Sequence, residues 1–154
     1  MAKGIAHCTC AKCGKAFTRE MVKRNREEAN NWQSWAEANY TECGDCYAAR
    51  KAAEREAANQ AAAEAAKSQE LPELTGSPKQ VAWAETIRQK RLQSIREAMG
   101  DEATWELHQK KFYDWVTAHT AASWWIDRRP DYYPSFLRRV AEEFQAETGW
   151  QPEK

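Results

Sequence analysis

Apolar residues recur at three- and four-residue steps along most of this chain, which predicts a mainly helical protein built from amphipathic segments. From Asn25 to Tyr40 the repeat runs Ala29, Trp32, Trp35 (or Ala36) and Asn39, one helix with its tryptophans over a small core. From Cys46 to Lys67 the apolar stripe fades into alanine interleaved with Glu, Lys, Arg and Gln, all strong helix formers. That stretch reads as a connecting helix of about 33 Å, with Arg50 and Glu54 spaced as an i, i+4 pair. Either solvent covers it or its alanine face pairs with another helix, which leaves a helix-mediated dimer open.

A sharper pattern begins after Leu71-Pro72. Ser77 suits an N-cap, Pro78 the first helical position and Gln80 the capping-box position. The helix they start should run to about Met99, bury Val81, Ala84, Ile87, the Arg91 stem, Leu92 and Ile95, and stop at Gly100. Asp101 is positioned to cap a further helix with Trp105, His108, Phe112, Trp115, Val116 and His119 near one face. After Ser123-Trp124-Trp125-Ile126, Pro134 opens a last helix carrying Leu137, Val140, Ala141 and Phe144, with Gly149 at its end. The expected organisation is therefore residues 1–46 as a metal module, 47–70 as an Ala-rich connecting helix, and 71–154 as a Trp-rich three-helix unit.

The metal module is inferred from cysteine spacing. Cys10/Cys13 and Cys43/Cys46 are two Cys-x-x-Cys steps, and four thiolates so placed can close a tetrahedral zinc site. Gly14 lets the first turn curl under the ion, and Phe17 should begin a short strand or turn beyond it. The second pair leads into the alanine helix, with Cys46 in its first turn. This is a treble-clef or zinc-ribbon-like layout, and a helix inserted between the knuckles accounts for the 29 residues separating Cys13 from Cys43. Substitution of Cys10 by Cys8 or His7 stays open. A site filled by four cysteines is structural rather than catalytic, and a small module gains from zinc the stability its core lacks.

Composition narrows the class. With 154 residues, 30% of them charged, and a mean hydropathy of −0.91, the expectation is a cytoplasmic protein without a leader or membrane span. Five cysteines, four of them paired by spacing, fit a reducing compartment better than a disulfide framework. The net charge of zero hides alternation. Residues 1–30 carry seven Lys/Arg against three acids, residues 31–75 four against eight, residues 76–99 five against two, and residues 100–154 seven against ten. Around the first knuckle, Lys12, Lys15, Arg19, Lys23 and Arg24 could meet phosphates or a partner. Trp124, Trp125 and Arg128 form a second candidate contact, because tandem tryptophans cannot both face inward. No catalytic set emerges. His108 and His119 lie eleven residues apart, and Asp127 and Asp131 lack partners for two-metal chemistry.

Several motifs together resemble a known family. They are Cys10-x-x-Cys-Gly-x-x-Phe17, Asn25-Arg-x-Glu-Ala29, Trp32-x-x-Trp-Ala36, Cys43-x-x-Cys-Tyr47, Leu74-x-Gly-Ser-x-Lys-Gln-x-x-Trp-Ala-Glu-x-Ile-Arg88 and Ser123-Trp-Trp-Ile-Asp127. With these the chain resembles small zinc-knuckle proteins from phages, plasmids and bacterial mobile elements. The resemblance implies a non-enzymatic accessory protein that binds a host protein complex, as an inhibitor of host defence would. Nucleic-acid binding through the basic knuckle is the alternative.

Overall fold

A computed structural model of the protein describes residues 1–150. It is mainly helical, as the periodicity predicts, with one N-terminal two-stranded sheet in the metal module. The chain divides into two compact units, Met1–Arg55 and a second starting at Glu56.

In the first unit, β1 (Ala2–Thr9) and β2 (Ala16–Lys23) form an antiparallel hairpin in the register Ala2↔Lys23 to Thr9↔Ala16. Alternation along β1 turns Gly4, Ala6 and Cys8 inward and Lys3, Ile5, His7 and Thr9 outward. Helix α1 (Arg26–Asn39) lies against this inner face with Ala29 and Ala36 buried. Asn25 starts the helix, its Oδ1 accepting from the Glu28 N–H at 2.8 Å. Small residues on both sides allow a close approach. A Cβ added at Gly4 would lie 2.8 Å from the Ala29 carbonyl oxygen and 3.0 Å from the Trp32 ring. The sequence left Trp35 and Ala36 as alternatives for the inner face, and Ala36 takes it. Trp35 does not cover the core; it is 52% exposed, edge-on to Tyr40.

Helix α2 (Gly44–Ser68) spans the boundary between the units. Within the second unit Ala62 and Ala66 are buried, and Thr86 Oγ1 donates to Asn59 Oδ1 at 2.9 Å. Helix α3 (Pro78–Met99) opens with the Ser77–Gln80 capping box and ends at Gly100, whose φ of +78° favours glycine. Asp101 caps a 3-10 turn (Glu102–Thr104) rather than the next helix. That helix, α4 (Leu107–Thr117), is opened by a Glu106–Gln109 box. α5 (Ala122–Asp127) is short, and α6 (Tyr133–Thr148) closes the described chain. Leu74, Ala84, Ile87, Leu92, Ile95, Val116, Trp125, Phe136 and Val140 share one core.

Two arginines tie loops to that core. Arg88 is 1% exposed and pairs with Glu85 on the same helix, with Nε 2.9 Å from the carboxylate. Its Nη1 donates to the Pro72 carbonyl at 2.8 Å, holding the segment before α3. Arg91 donates to the carbonyls of Arg128, Arg129 and Asp131 in the turn that follows α5. Thr75 bridges to the start of α5, donating to the Thr120 carbonyl and accepting from the Ala122 N–H.

Gly4→Ala should destabilise the first unit by about 1–3 kcal/mol, the cost of overpacking. Gly44→Ala, which meets nothing within 4 Å, should leave stability unchanged or raised in chemical denaturation. Glu85→Ala strands a buried guanidinium and should cost the second unit about 3–5 kcal/mol. A loss below 1 kcal/mol would show that Arg88 reaches water.

Candidate metal centre

The hairpin tip and the start of α2 converge on one point. Residues 10–15 join β1 to β2, with the Cys10 N–H donating to the Lys15 carbonyl and the Gly14 N–H to the Cys10 carbonyl, both at 2.9 Å. Gly14 has a φ of +72°, where a side chain would be strained. The Ala11 N–H donates to the Thr41 carbonyl at 2.9 Å, fastening the first knuckle to the second. The Cys43 carbonyl accepts from the Tyr47 N–H and starts α2, so Cys46 sits in its first turn.

Cys10, Cys13, Cys43 and Cys46 are thereby gathered with their sulfurs all within 4.8 Å of one another. The Cys13 and Cys43 sulfurs are 3.7 Å apart. A tetrahedral ion with metal–sulfur bonds of about 2.3 Å requires sulfur separations of about 3.8 Å, so the four side chains fit such an ion. Cys10 and Cys43 are buried, Cys46 is half-buried and Cys13 is exposed. The backbone N–H groups of Cys43, Cys13 and Lys12 face the Cys10 sulfur and draw its pKa down to about 6. Hydrogen bonding to the Cys43, Cys13 and Cys10 sulfurs, with burial, pushes Cys46 up to about 12. Four thiols this close cannot all ionise alone, and a bound cation reverses that preference.

Neither alternative ligand joins them. Cys8 lies on the inner face of β1, 5% exposed, with its Sγ donating to the Ala36 carbonyl at 3.8 Å. The His7 side chain is on the outer face, and its backbone N–H donates to Glu37 Oε1. Alternation alone would carry Cys10 to the same face as Cys8, but β1 ends at Thr9 and the chain turns there, so only Cys10 joins the cluster.

The cations around the knuckle are largely engaged. Lys12 pairs with Glu42 at 2.9 Å and Lys15 with Asp45 at 3.2 Å. Asp45, with the Cys43 and Cys13 sulfurs, raises the pKa of Lys15. Glu42 also receives Arg50, and these two cations hold its carboxyl down at about 2. The side chain next to Cys43 thus locks the first knuckle to α2, a role that a lone Glu in the sequence does not announce. Arg19 lies over the Tyr40 ring at 5.4 Å and the Phe17 ring at 5.9 Å. Lys23 ends β2, and the Arg24 N–H donates to Glu28.

The second candidate contact is in the other unit and is corrected by its packing. Trp125 is fully buried, with its indole N–H donating to the His119 carbonyl at 2.9 Å. Trp124 is half-buried between the His119 ring at 4.1 Å and the Arg128 guanidinium at 4.1 Å. Arg128 also donates twice to Glu143. These residues serve the fold, so Trp125 is withdrawn as a contact and Trp124 offers at most an edge.

No family model, curated protein or solved structure matches the chain. Among the described residues, no helix is long and apolar enough to cross a membrane.

The four-sulfur geometry has a direct test. The purified chain should carry one metal equivalent, Cys43→Ser should lose it, and Cys8→Ser should keep it, as read by elemental analysis. Affinity should fall as pH falls, because each proton that returns to a thiolate competes with the ion. Full metal content in Cys43→Ser, or loss in Cys8→Ser, would disprove this ligand set.

Proposed function

We propose that this chain is a zinc-stabilised, non-enzymatic protein whose partner is another protein. The observation that carries this reading is the filled sulfur set: four thiols occupy every position of a tetrahedral ion and leave none for substrate. Zinc is favoured by the all-cysteine, tetrahedral donor set, which iron shares but calcium and magnesium do not. Reduced, closely spaced thiols accord with a cytoplasmic setting. Exposed aromatic side chains favour a protein partner. Trp35 and Tyr47 are about half exposed, and such residues commonly anchor interfaces. The motif resemblance supports the narrower reading of a mobile-element accessory protein that engages a host complex, in the manner of a defence inhibitor.

A nucleic-acid partner is the rival reading. It rests on the basic knuckle, chiefly Arg19, Lys23 and Arg24, since Lys12 and Lys15 are paired with Glu42 and Asp45. Capture from a bacterial lysate, with and without nuclease, separates the two. The proposal expects a stoichiometric protein that survives nuclease, is retained by the Arg19→Glu/Lys23→Glu/Arg24→Glu variant, and is lost with Trp35→Ala. Recovery that requires intact nucleic acid and vanishes in the triple variant would overturn it. Elemental analysis of the same sample should find zinc; iron in its place would remove the zinc assignment and leave the partner question standing.

A further inference from the structure

The second unit contains a recess of about 260 Å³ between the C-terminal half of α3, α4 and α6. Ile95, Met99, Phe112, Leu137, Phe144 and Trp150 supply its apolar wall. The chain builds this wall by reversing at the end of α6. Gly149 adopts a φ of +68°, and the Trp150 N–H then reaches the Thr148 hydroxyl at 3.4 Å. That turn lays the indole against the His108 ring, stacked at 5.3 Å with planes 13° apart, and tilted over Phe144 at 6.2 Å. Phe112 meets Phe144 edge-on at 5.5 Å.

Charge, shape and size each restrict what can enter. Among the described residues the lining includes no Lys, Arg, Asp or Glu. An ion would lose its hydration there without gaining a partner. Three aromatic rings favour a flat ring as occupant, through offset and edge-to-face contact. His108, Gln109 and Gln145 also line the recess, but almost all the surface they and their neighbours present to it is apolar, and Gln109 Oε1 already accepts from the Glu106 N–H. An apolar cavity of about 150 Å³ already takes benzene, so this recess has room for two fused rings.

We propose that the recess is a binding site for a free, neutral aromatic molecule of one or two fused rings. The site lies wholly within residues 95–150 and does not depend on the metal centre or on the nature of the protein partner. Indole is the probe. Added to the full chain, it should bind saturably at one site by calorimetry, and the methyl resonances of Ile95, Met99 and Leu137 should shift with it. Ala141 also lines the recess, and Ala141→Leu places extra methyl groups inside it. This variant should weaken indole at least tenfold without lowering the melting temperature. Indole-3-acetate, which adds a carboxylate to the same ring, should bind at least tenfold more weakly than indole. Absence of saturation up to the solubility of indole would overturn the proposal. So would methyl shifts elsewhere in the chain, or equal affinity for the charged analogue. The methyl map and the analogue comparison use the unaltered chain, so they decide the matter even if Ala141→Leu does not fold.

Discussion

Junction of the hairpin tip to the first turn of α2 through four sulfurs is the constraint on which the first unit depends. Its buried cluster is Ala6, Cys8 and Ala36, with Phe17, Trp32 and Tyr40 only partly covered around it. So little apolar burial does not offset the backbone entropy of ordering 55 residues. The other ties are polar and partly solvated, among them Lys12 and Arg50 on Glu42, Lys15 on Asp45, the His7 N–H on Glu37 and one backbone bond from Ala11 to Thr41. Exposed pairs of this kind contribute little each. Metal coordination is the interaction large enough to make the hairpin, α1 and α2 one unit, because binding to a site absent from the unfolded chain is itself folding energy.

The second unit is held differently. It has a continuous apolar core, with charged groups buried at its edge. Glu85 and Arg88 neutralise each other inside, while Arg91 satisfies three carbonyls at the end of α5. These contacts fix the connections around α3, so the unit's shape follows from helix ends being satisfied as well as from packing. The recess beside Trp150 is a gap in that packing.

Most of the helices and all four clustered cysteines were legible in the sequence, because their signals are local. Ser77, Pro78 and Gln80 are adjacent residues acting on the same turn, and a Cys-x-x-Cys step brings its two sulfurs to one side regardless of context. Strand β1 was not legible. Its inward positions are Gly4, Ala6 and Cys8, small because α1 approaches closely, so the strand lacks the bulky alternation that marks one. The same close approach decides between neighbours on α1, where Ala36 fits and Trp35 does not. The Glu85–Arg88 pair was hidden for another reason. Charges three apart on a helix normally mark a solvated face, and only the fold shows that this face is covered by the Pro72 segment. Tandem tryptophans cannot share one side, and the fold alone decides that Trp125 is the buried one while Trp124 stays half-buried against His119 and Arg128.

If the metal makes the first unit fold while the second stands on its own core, only the first should respond to removal of the ion. Amide NMR spectra of the full chain, recorded before and after a strong chelator removes the metal, test this most directly. Dispersion should collapse for the β1–β2 hairpin and α1, with core residues such as Leu92 and Trp125 unmoved, and recover fully when the metal is returned. A hairpin that keeps its resonances without metal would contradict metal-dependent folding of the first unit.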